Sequence, residues 1–393
     1  MGTPAILVLN AGSSSLKFAL YAVADLAPLC RGDIDAGAGA ARVSAAGPLA
    51  DRWLAGAGAL RDASQAGMLD WLLGTLRAGG DAVTLQAAGH RVVHGGARHA
   101  APARITPALL TELEGYAPLA PAHQPFNLAG IRALAAAYPD LAQVACFDTA
   151  FHRSQPRLAQ LFGLPRRLAD EGILRYGFHG LSYEYVAGEL AAHGVPAAAR
   201  VIVAHLGHGA SLCALRDGRS VATTMGFSTL DGLLMGQRCG TLDPGVVLHL
   251  LRDGRYDLAA LERLLNDESG LLGVSELSDD VRVLEASTDP RAHEALELFA
   301  YRVARETGSL VAALGGLDAL VFTAGIGERS ATMRGRIAAA CAWCGLALDP
   351  GANARGARRI STAASAVAAY VIPTDEEIVI ARAARALVAA AGT

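Results

Sequence analysis

Lysine is nearly absent from this sequence: among 34 basic residues in 393, Lys17 is the one lysine and every other is arginine. Long apolar runs are absent too. None approaches the ~18 uninterrupted residues that a membrane span needs, and the first apolar stretch stops at Asn10 with no basic segment before it. The expectation is therefore a cytoplasmic protein with neither transmembrane helix nor export signal. A net charge of −3 gives no broad cationic field, which argues against nucleic acid or an anionic membrane as partner and for a small soluble one. Cysteine is sparse. Six scattered residues without an export signal read as reduced, mostly buried thiols rather than a disulfide frame. Only Cys341 and Cys344 form a C-x-x-C pair; with no second pair and no histidine-rich neighbour, core packing is the simpler reading than redox or metal use.

What is present starts with length. A chain of 393 residues exceeds what one core supports, so two lobes with a cleft between them are expected. The apolar fraction of 52%, much of it alanine, can fill both. A drift toward arginine explains the arginines but not Lys17, which lies within a Gly/Ser turn where a compact ammonium on a flexible stem reaches phosphate oxygens; chance is the alternative.

The chain also echoes itself. Ile6 to Leu9 runs into Asn10-Ala-Gly-Ser-Ser-Ser15 and out through Phe18 to Tyr21. Val201 to Ala204 runs into His205-Leu-Gly-His-Gly-Ala-Ser211 and out to Leu215, with Asp217-Gly218 as a hairpin turn. A third strand, Ala319 to Thr323, ends in a glycine turn, Ala324 to Glu328, before a helix from about Ala331. It follows an amphipathic stretch, Ala292 to Leu314, with Ala295, Phe299, Val303, Leu310 and Leu314 on one face. Helix, strand and turn in that order imply α/β layers from a duplicated domain. Ala36 to Gly58 reads as loop or weak strand. The lobes are expected to meet near Asp148 to Phe151, with the chain crossing back near Pro373: residues 1–150 with 378–393 form one lobe and 151–377 the other.

Small residues let backbone N–H groups approach phosphate, so the two paired turns read as a phosphate clamp; tight hairpins are the bland alternative. A dinucleotide fingerprint is excluded, because neither Gly207-x-Gly209 nor Gly325-x-Gly327 has the third glycine, and the Walker pattern is missing. Asp148 ends an apolar strand in Gln143-Val-Ala-Cys-Phe-Asp-Thr-Ala-Phe-His152, either as a catalytic carboxylate or as a turn cap. Arg91 and Arg238, both near glycines, have forked donors suited to carboxylate or phosphoryl oxygens, or to an ion pair. His179, in Tyr176-Gly-Phe-His-Gly180, reads equally as a phosphoryl donor or a satisfied core ring. Pro373-Thr-Asp-Glu-Glu377 opens the last helix, where acidic residues suit the dipole regardless of function; the functional reading is a magnesium ligand.

Taken together, Leu9-Asn-Ala-Gly-Ser-Ser-Ser-Leu-Lys-Phe18, Phe147-Asp-Thr-Ala-Phe-His152, Tyr176 to Gly180, Ala204 to Ser211, Met235 to Pro244 and Phe322-Thr-Ala-Gly-Ile-Gly-Glu328 resemble the acetate kinases, of the superfamily of actin, sugar kinases and heat-shock ATPases. They span nearly the whole chain in family order. The resemblance implies two duplicated ribonuclease H-like (actin-like ATPase) domains, a homodimer, and reversible in-line phosphoryl transfer from ATP to acetate with no phosphoenzyme. The lobe 1–150 with 378–393 would take the carboxylate and the lobe 151–377 the ATP.

By the same resemblance Asn10 and Glu376 hold Mg²⁺, for which Mn²⁺ can substitute, and Lys17, Ser13 and Ser15 line the phosphate path. His205, Leu206, Gly207, His208 and Gly209 bind ATP, as do Asp280, Val281 and Arg282, and Gly325, Ile326, Gly327, Glu328 and Arg329. Arg91 holds the substrate carboxylate, Asp148 is the catalytic acidic residue, and His179 and Arg238 stabilise the transition state. Val93, Ala122, Phe178 and Thr229 form the acyl pocket.

A carboxylate nucleophile is already ionised at pH 7 and needs no strong base. Relief of anion repulsion is what it needs, so Asp148 is expected to organise metal water or arginine rather than to accept a proton.

The chain departs from the family pattern at His208, Arg329 and Asp375, where asparagine is usual. Ala122 stands where leucine is usual, and the lost side chain would leave room for extra methylenes in the acyl pocket; Thr229 stands where proline is frequent. A propionate or butyrate kinase of the same fold is the nearest alternative. A non-catalytic ATP switch is a remote one, since it leaves Arg91 and Arg238 without a task.

Overall fold

The computed structural model describes residues 2–12, 15–36, 41–56, 58, 60, 62–78 and 82–391, so Ser13 lies outside the described residues. The chain divides into two compact units, Met1–Ala150 with Asp375–Thr393, and Phe151–Thr374. The second crossing comes before the expected boundary at residue 377. Asp375, Glu376 and Glu377 consequently open the final helix of the first unit.

The first unit holds β1 (Thr3–Ala11), β2 (Ser15–Ala22), β3 (Pro28–Asp35), β4 (Arg42–Ala46), β5 (Val83–Val92), β6 (Ala103–Arg104) and β7 (Ala142–Phe147), in the order β4-β3-β2-β1-β5-β7-β6. β1 to β4 form an antiparallel meander, and β1, β5 and β7 run parallel. The second unit holds β8 (Val201–Leu206), β9 (Ala210–Arg216), β10 (Arg219–Thr223), β11 (Ala319–Thr323) and β12 (Ala368–Val371), in the order β10-β9-β8-β11-β12. Here β8 to β10 are antiparallel, and β8, β11 and β12 are parallel. Without the edge strands β4 and β6, the two orders coincide strand for strand. The internal echo of the sequence is thus a duplicated ribonuclease H-like sheet, the fold of actin-like ATPases.

The parallel strands are buried runs because helices cover both faces of such sheets. Every residue of β8 and of β11 is buried. The connection into β11 is the helix Pro290–Leu314, whose Ala295, Phe299, Val303, Leu310 and Leu314 are buried as their spacing predicts. Asp217 and Gly218, at φ 52° and 69°, make the expected hairpin turn between β9 and β10.

Three local expectations change. Within Ala36 to Gly58 there is a helix, Ala50–Gly56, as well as the strand β4. Its anchor is Trp53, buried against Phe18 with ring centroids 4.5 Å apart, a side chain whose burial is worth about 1.5–3 kcal/mol and outweighs weak local propensity. The glycine turn after β11 is a helix, Ala324–Arg329, entered through Ala324 at φ 64° and closed where the Glu328 side chain accepts from Ala324 N at 2.9 Å. Lys17 lies not in a turn but in β2, opposite Asn10 on β1, because the β1–β2 hairpin extends to Ala11 and Ser15.

Candidate active site

Parallel strands bring their C-terminal ends to one sheet edge, where polar side chains can gather without breaking the core. In the first unit Leu9 pairs with His90 and Val92 with Phe147, so Asn10, Arg91 and Asp148 end neighbouring strands. Arg91 Nε donates to Asp148 Oδ1 at 3.1 Å, Nη2 to Oδ2 at 2.5 Å, and Nη1 to Asn10 Oδ1 at 3.2 Å. Glu376, first residue of the helix Glu376–Ala391, has Oε2 4.0 Å from Arg91 Nε. Burial pushes the Asp148 carboxyl up and the Arg91 guanidinium pulls against it, while burial lowers Arg91 but the charges of Asp148 and Glu376 hold it up. Glu376 is pushed up to about 7, by burial first and then by Asp148 and Glu377, with Arg91 opposing. A guanidinium has five N–H donors. Three are engaged with Asp148 and Asn10, which leaves one on each Nη uncommitted.

Around this cluster the unit places the other expected residues. Lys17 is exposed and shares a groove of about 320 Å³ with Arg31, Asp33 and Glu377, and Ser15 begins β2. Val93 is buried, its N–H donating to Asn127 Oδ1 at 3.0 Å, and Asn127 Nδ2 donates to Ala11 O at 2.7 Å. Ala122 is exposed in the turn before the helix Gln124–Ala137. Asp375 accepts from Ile378 N at 3.0 Å as helix cap and pairs with Arg31.

The second unit builds its own cluster in the same way. Thr323 pairs with His205, so the β8–β9 turn and the helix Ala324–Arg329 leave adjacent strand ends. His179 precedes the helix Gly180–Glu189 at φ 58°, stacked on His205 with centroids 4.1 Å apart and planes at 15°. A Cβ on Gly209 would lie 2.7 Å from Arg238 Nη2 and 3.3 Å from His179 Nε2, so glycine there is a condition for the two donors to flank the turn. Arg238 Nη1 donates to Thr229 O at 2.6 Å, and burial lowers its pKa to about 10. Phe178 is buried, and its carbonyl lies 2.9 Å from His152 Nε2.

A cavity of about 450 Å³, within the range of small-molecule sites, is lined by Gly207, His208, Asp280, Val281, Arg282, Gly325, Ile326 and Arg329 among the residues expected at ATP. Asp279, Glu285 and Ser330 line it as well and had not been singled out. His208 Nε2 is 3.0 Å from Asp279 Oδ2, which Gln237 Nε2 also reaches at 2.8 Å. Asp280 caps the helix Val281–Ala286 and pairs with Arg282 at 2.6 Å. The remaining expected ATP residues lie elsewhere: Leu206 is core, and Gly327 O and Glu328 O accept from the buried Arg334 guanidinium at 2.9 and 2.8 Å. The adjacent Asp279-Asp280 pair was a signal available in the sequence; nothing local marked Asn127, whose partners are distant in the chain, or Arg334, which joins the nearby Gly327 and Glu328 carbonyls to the more distant Asn353.

The doubled sheet and the polar clusters at its strand ends define the class as that of the actin-like ATPases. The profile of the Acetokinase family matches residues 5–382. The acetate kinase of Rhodopseudomonas palustris strain TIE-1 is 52% identical over 389 residues, covering 96% of each chain, and that of Rhizobium meliloti is 48% identical over 395 residues, covering 98% of this chain and 99% of that one. Among solved structures, a propionate kinase from Francisella tularensis subsp. tularensis SCHU S4 superposes with a TM-score of 0.85 at 34% identity, covering 98% of this chain and all of the other. The Porphyromonas gingivalis acetate kinase superposes with 0.83 at 32%, covering 98% and 99%. The chain belongs to the acetokinase family.

Proposed function

We propose that the protein is an acetate kinase, transferring the γ-phosphoryl of ATP reversibly and in line to acetate to give acetyl phosphate and ADP. The observation that carries this reading is the gathering of Asn10, Arg91, Asp148 and Glu376 at one sheet edge in a chain of the acetokinase family. The two uncommitted Arg91 donors, one on each Nη, suit a carboxylate end-on, and Asp148 aims them. Asp148 is already occupied by arginine, which favours the organising role over a proton-accepting one. Val93 and Ala122 face the acyl chain, with Ala122 leaving room for an extra methylene.

In the second unit the lined cavity takes the nucleoside. Arg238 and the His179 Nε2 edge, flanking Gly209, meet the charge on the phosphoryl oxygens.

Mg²⁺ is part of the proposal, and the donors fit it. Asn10 and Glu376 supply hard oxygens, which suit an ion that keeps its waters and binds through one or two protein ligands plus substrate phosphates. When bound, Mg²⁺ neutralises charge on the phosphates. Mn²⁺, with the same oxygen preference, is expected to substitute.

A homodimer is proposed as well. The helix Pro244–Arg252 buries none of its residues and exposes Val246, Leu248 and Leu251, apolar surface suited to a second copy. No helix of the described residues is long and apolar enough to cross a membrane, and the six cysteines are free thiols. Free thiols fit the proposed cytoplasmic location.

The test is an ATP-consumption assay with acetate, propionate and butyrate in parallel, trapping the acyl phosphate as hydroxamate. ATP hydrolysis indifferent to carboxylate would end the proposal.

A further inference from the structure

Behind His179 lies a hydrogen-bond chain that the proposed reaction does not itself require. Tyr183 OH is 2.5 Å from Ser211 Oγ, and Ser211 Oγ is 2.8 Å from His179 Nδ1. Tyr183 and Ser211 are fully buried. Among the described residues Ser211 Oγ is the one hydrogen-bond partner of the Tyr183 hydroxyl, and burial holds that phenol well above its usual range, so it keeps its proton.

The proton count then has one solution. If Ser211 donated to Tyr183, the phenolic proton would be buried with no acceptor, at a cost of about 1–3 kcal/mol. Tyr183 therefore donates to Ser211, and the remaining proton of Ser211 has His179 Nδ1 as its acceptor. A proton on Nδ1 would orphan the serine hydroxyl by the same reasoning. The ring carries its proton on Nε2, the edge that faces Gly209 beside Arg238. His205 stacks on the other face, its own Nδ1 2.8 Å from Ser182 Oγ.

We propose that Tyr183 and Ser211 are positioning residues that fix His179 in the Nε2–H tautomer, turning an ambivalent imidazole into an oriented donor toward the phosphate turn. The proton placement follows from the second unit alone; its kinetic consequence rests on the function proposed above. The sequence offers a retrospective signal. Tyr183 stands four residues after His179, on the same side of one helical turn, and Ser211 closes the echoed turn.

The experiment is ¹⁵N NMR of histidine-labelled full-length protein without ligand, with His179 assigned by the loss of its signals in His179→Gln. The one-proton tautomer on Nε2 is expected in the native chain. Ser211→Ala should move the signal toward a mixture and lower kcat at least ~10-fold, less than the ~10²–10³ for losing a transition-state donor outright, with KM for ATP within about threefold. Tyr183→Phe together with Ser211→Ala leaves no orphaned hydroxyl and keeps the fold testable if the single variant is unstable. A native His179 protonated on Nδ1, or a Ser211→Ala chain with unchanged tautomer and kcat, overturns the proposal. Native protein that shows the Nε2–H tautomer but phosphorylates no carboxylate upholds the proton placement and refutes the function.

Discussion

Asp148 takes both of its bonds from one side chain, accepting from Arg91 Nε at 3.1 Å and Nη2 at 2.5 Å. A carboxylate so engaged orients the guanidinium. An amide in its place can accept on its oxygen only and turns its NH₂ toward another donor. Asp148→Asn is therefore expected to lower kcat/KM for acetate by ~10² or more, and steady-state assays at saturating Mg²⁺ check it. Near-full turnover would remove Asp148 from the mechanism. Arg91→Lys, which loses the fork, should raise KM for acetate.

In the proposed site Glu376 touches the reaction through the metal. Its carboxyl is raised to about 7 by burial and by Asp148 and Glu377, so below that pH a proton competes with Mg²⁺ for it. The Mg²⁺ concentration for half-maximal rate is expected to climb as pH falls through 7. In Glu376→Gln it should be high and flat with pH. Titrating Mg²⁺ at several pH values gives both results, and a pH-independent requirement in the native enzyme would contradict the assignment.

Ala122 governs chain length in the proposed site. Filling the space with Ala122→Leu should lower propionate kcat/KM relative to acetate by about 10–200-fold, the span of ~1–3 kcal/mol that one methylene supports. For the unaltered chain a propionate-to-acetate ratio of at least a tenth is expected. A lower ratio would show that Ala122 does not widen the pocket.

Two buried histidines set the acid limit of the fold. Burial lowers His90, 2.7 Å from Gln143 Oε1, and His152, 2.9 Å from Phe178 O, each to about 4. Their folded pKa values lie below the unfolded 6.5, so the unfolded chain binds the extra protons. Stability is complete above about 6.5 and falls as pH drops toward 4, by on the order of 3 kcal/mol per histidine. Urea midpoints should drop between about pH 7.5 and 4.5, and the drop should shrink in His90→Gln and His152→Gln.

The strands and the long helix were legible because their signals are local. The buried runs of β8 and β11 and the 3.6-residue spacing of Ala295, Phe299 and Val303 each lie within one segment. The helix at Trp53 was not, since its stability comes from Phe18, far away in sequence. The same holds at the site. Arg91 and Asp148 could be named from their surroundings, but the bidentate bond that joins them is a property of neighbouring strand ends. Arg334 escaped notice because a buried arginine looks like a surface one until Asn353 and the Gly327 carbonyl close around it.

The near-absence of lysine bears on self-modification. An acyl phosphate is a high-energy anhydride that acylates free amines, and a kinase that makes one is bathed in its own product. Lys17 is the sole side-chain amine of this chain and is solvent-exposed on β2. Among side-chain amines, prolonged turnover can then acylate Lys17 alone, leaving the arginine surface unmarked. The extent of modification at Lys17 becomes a chemical record of how much acyl phosphate the enzyme has met.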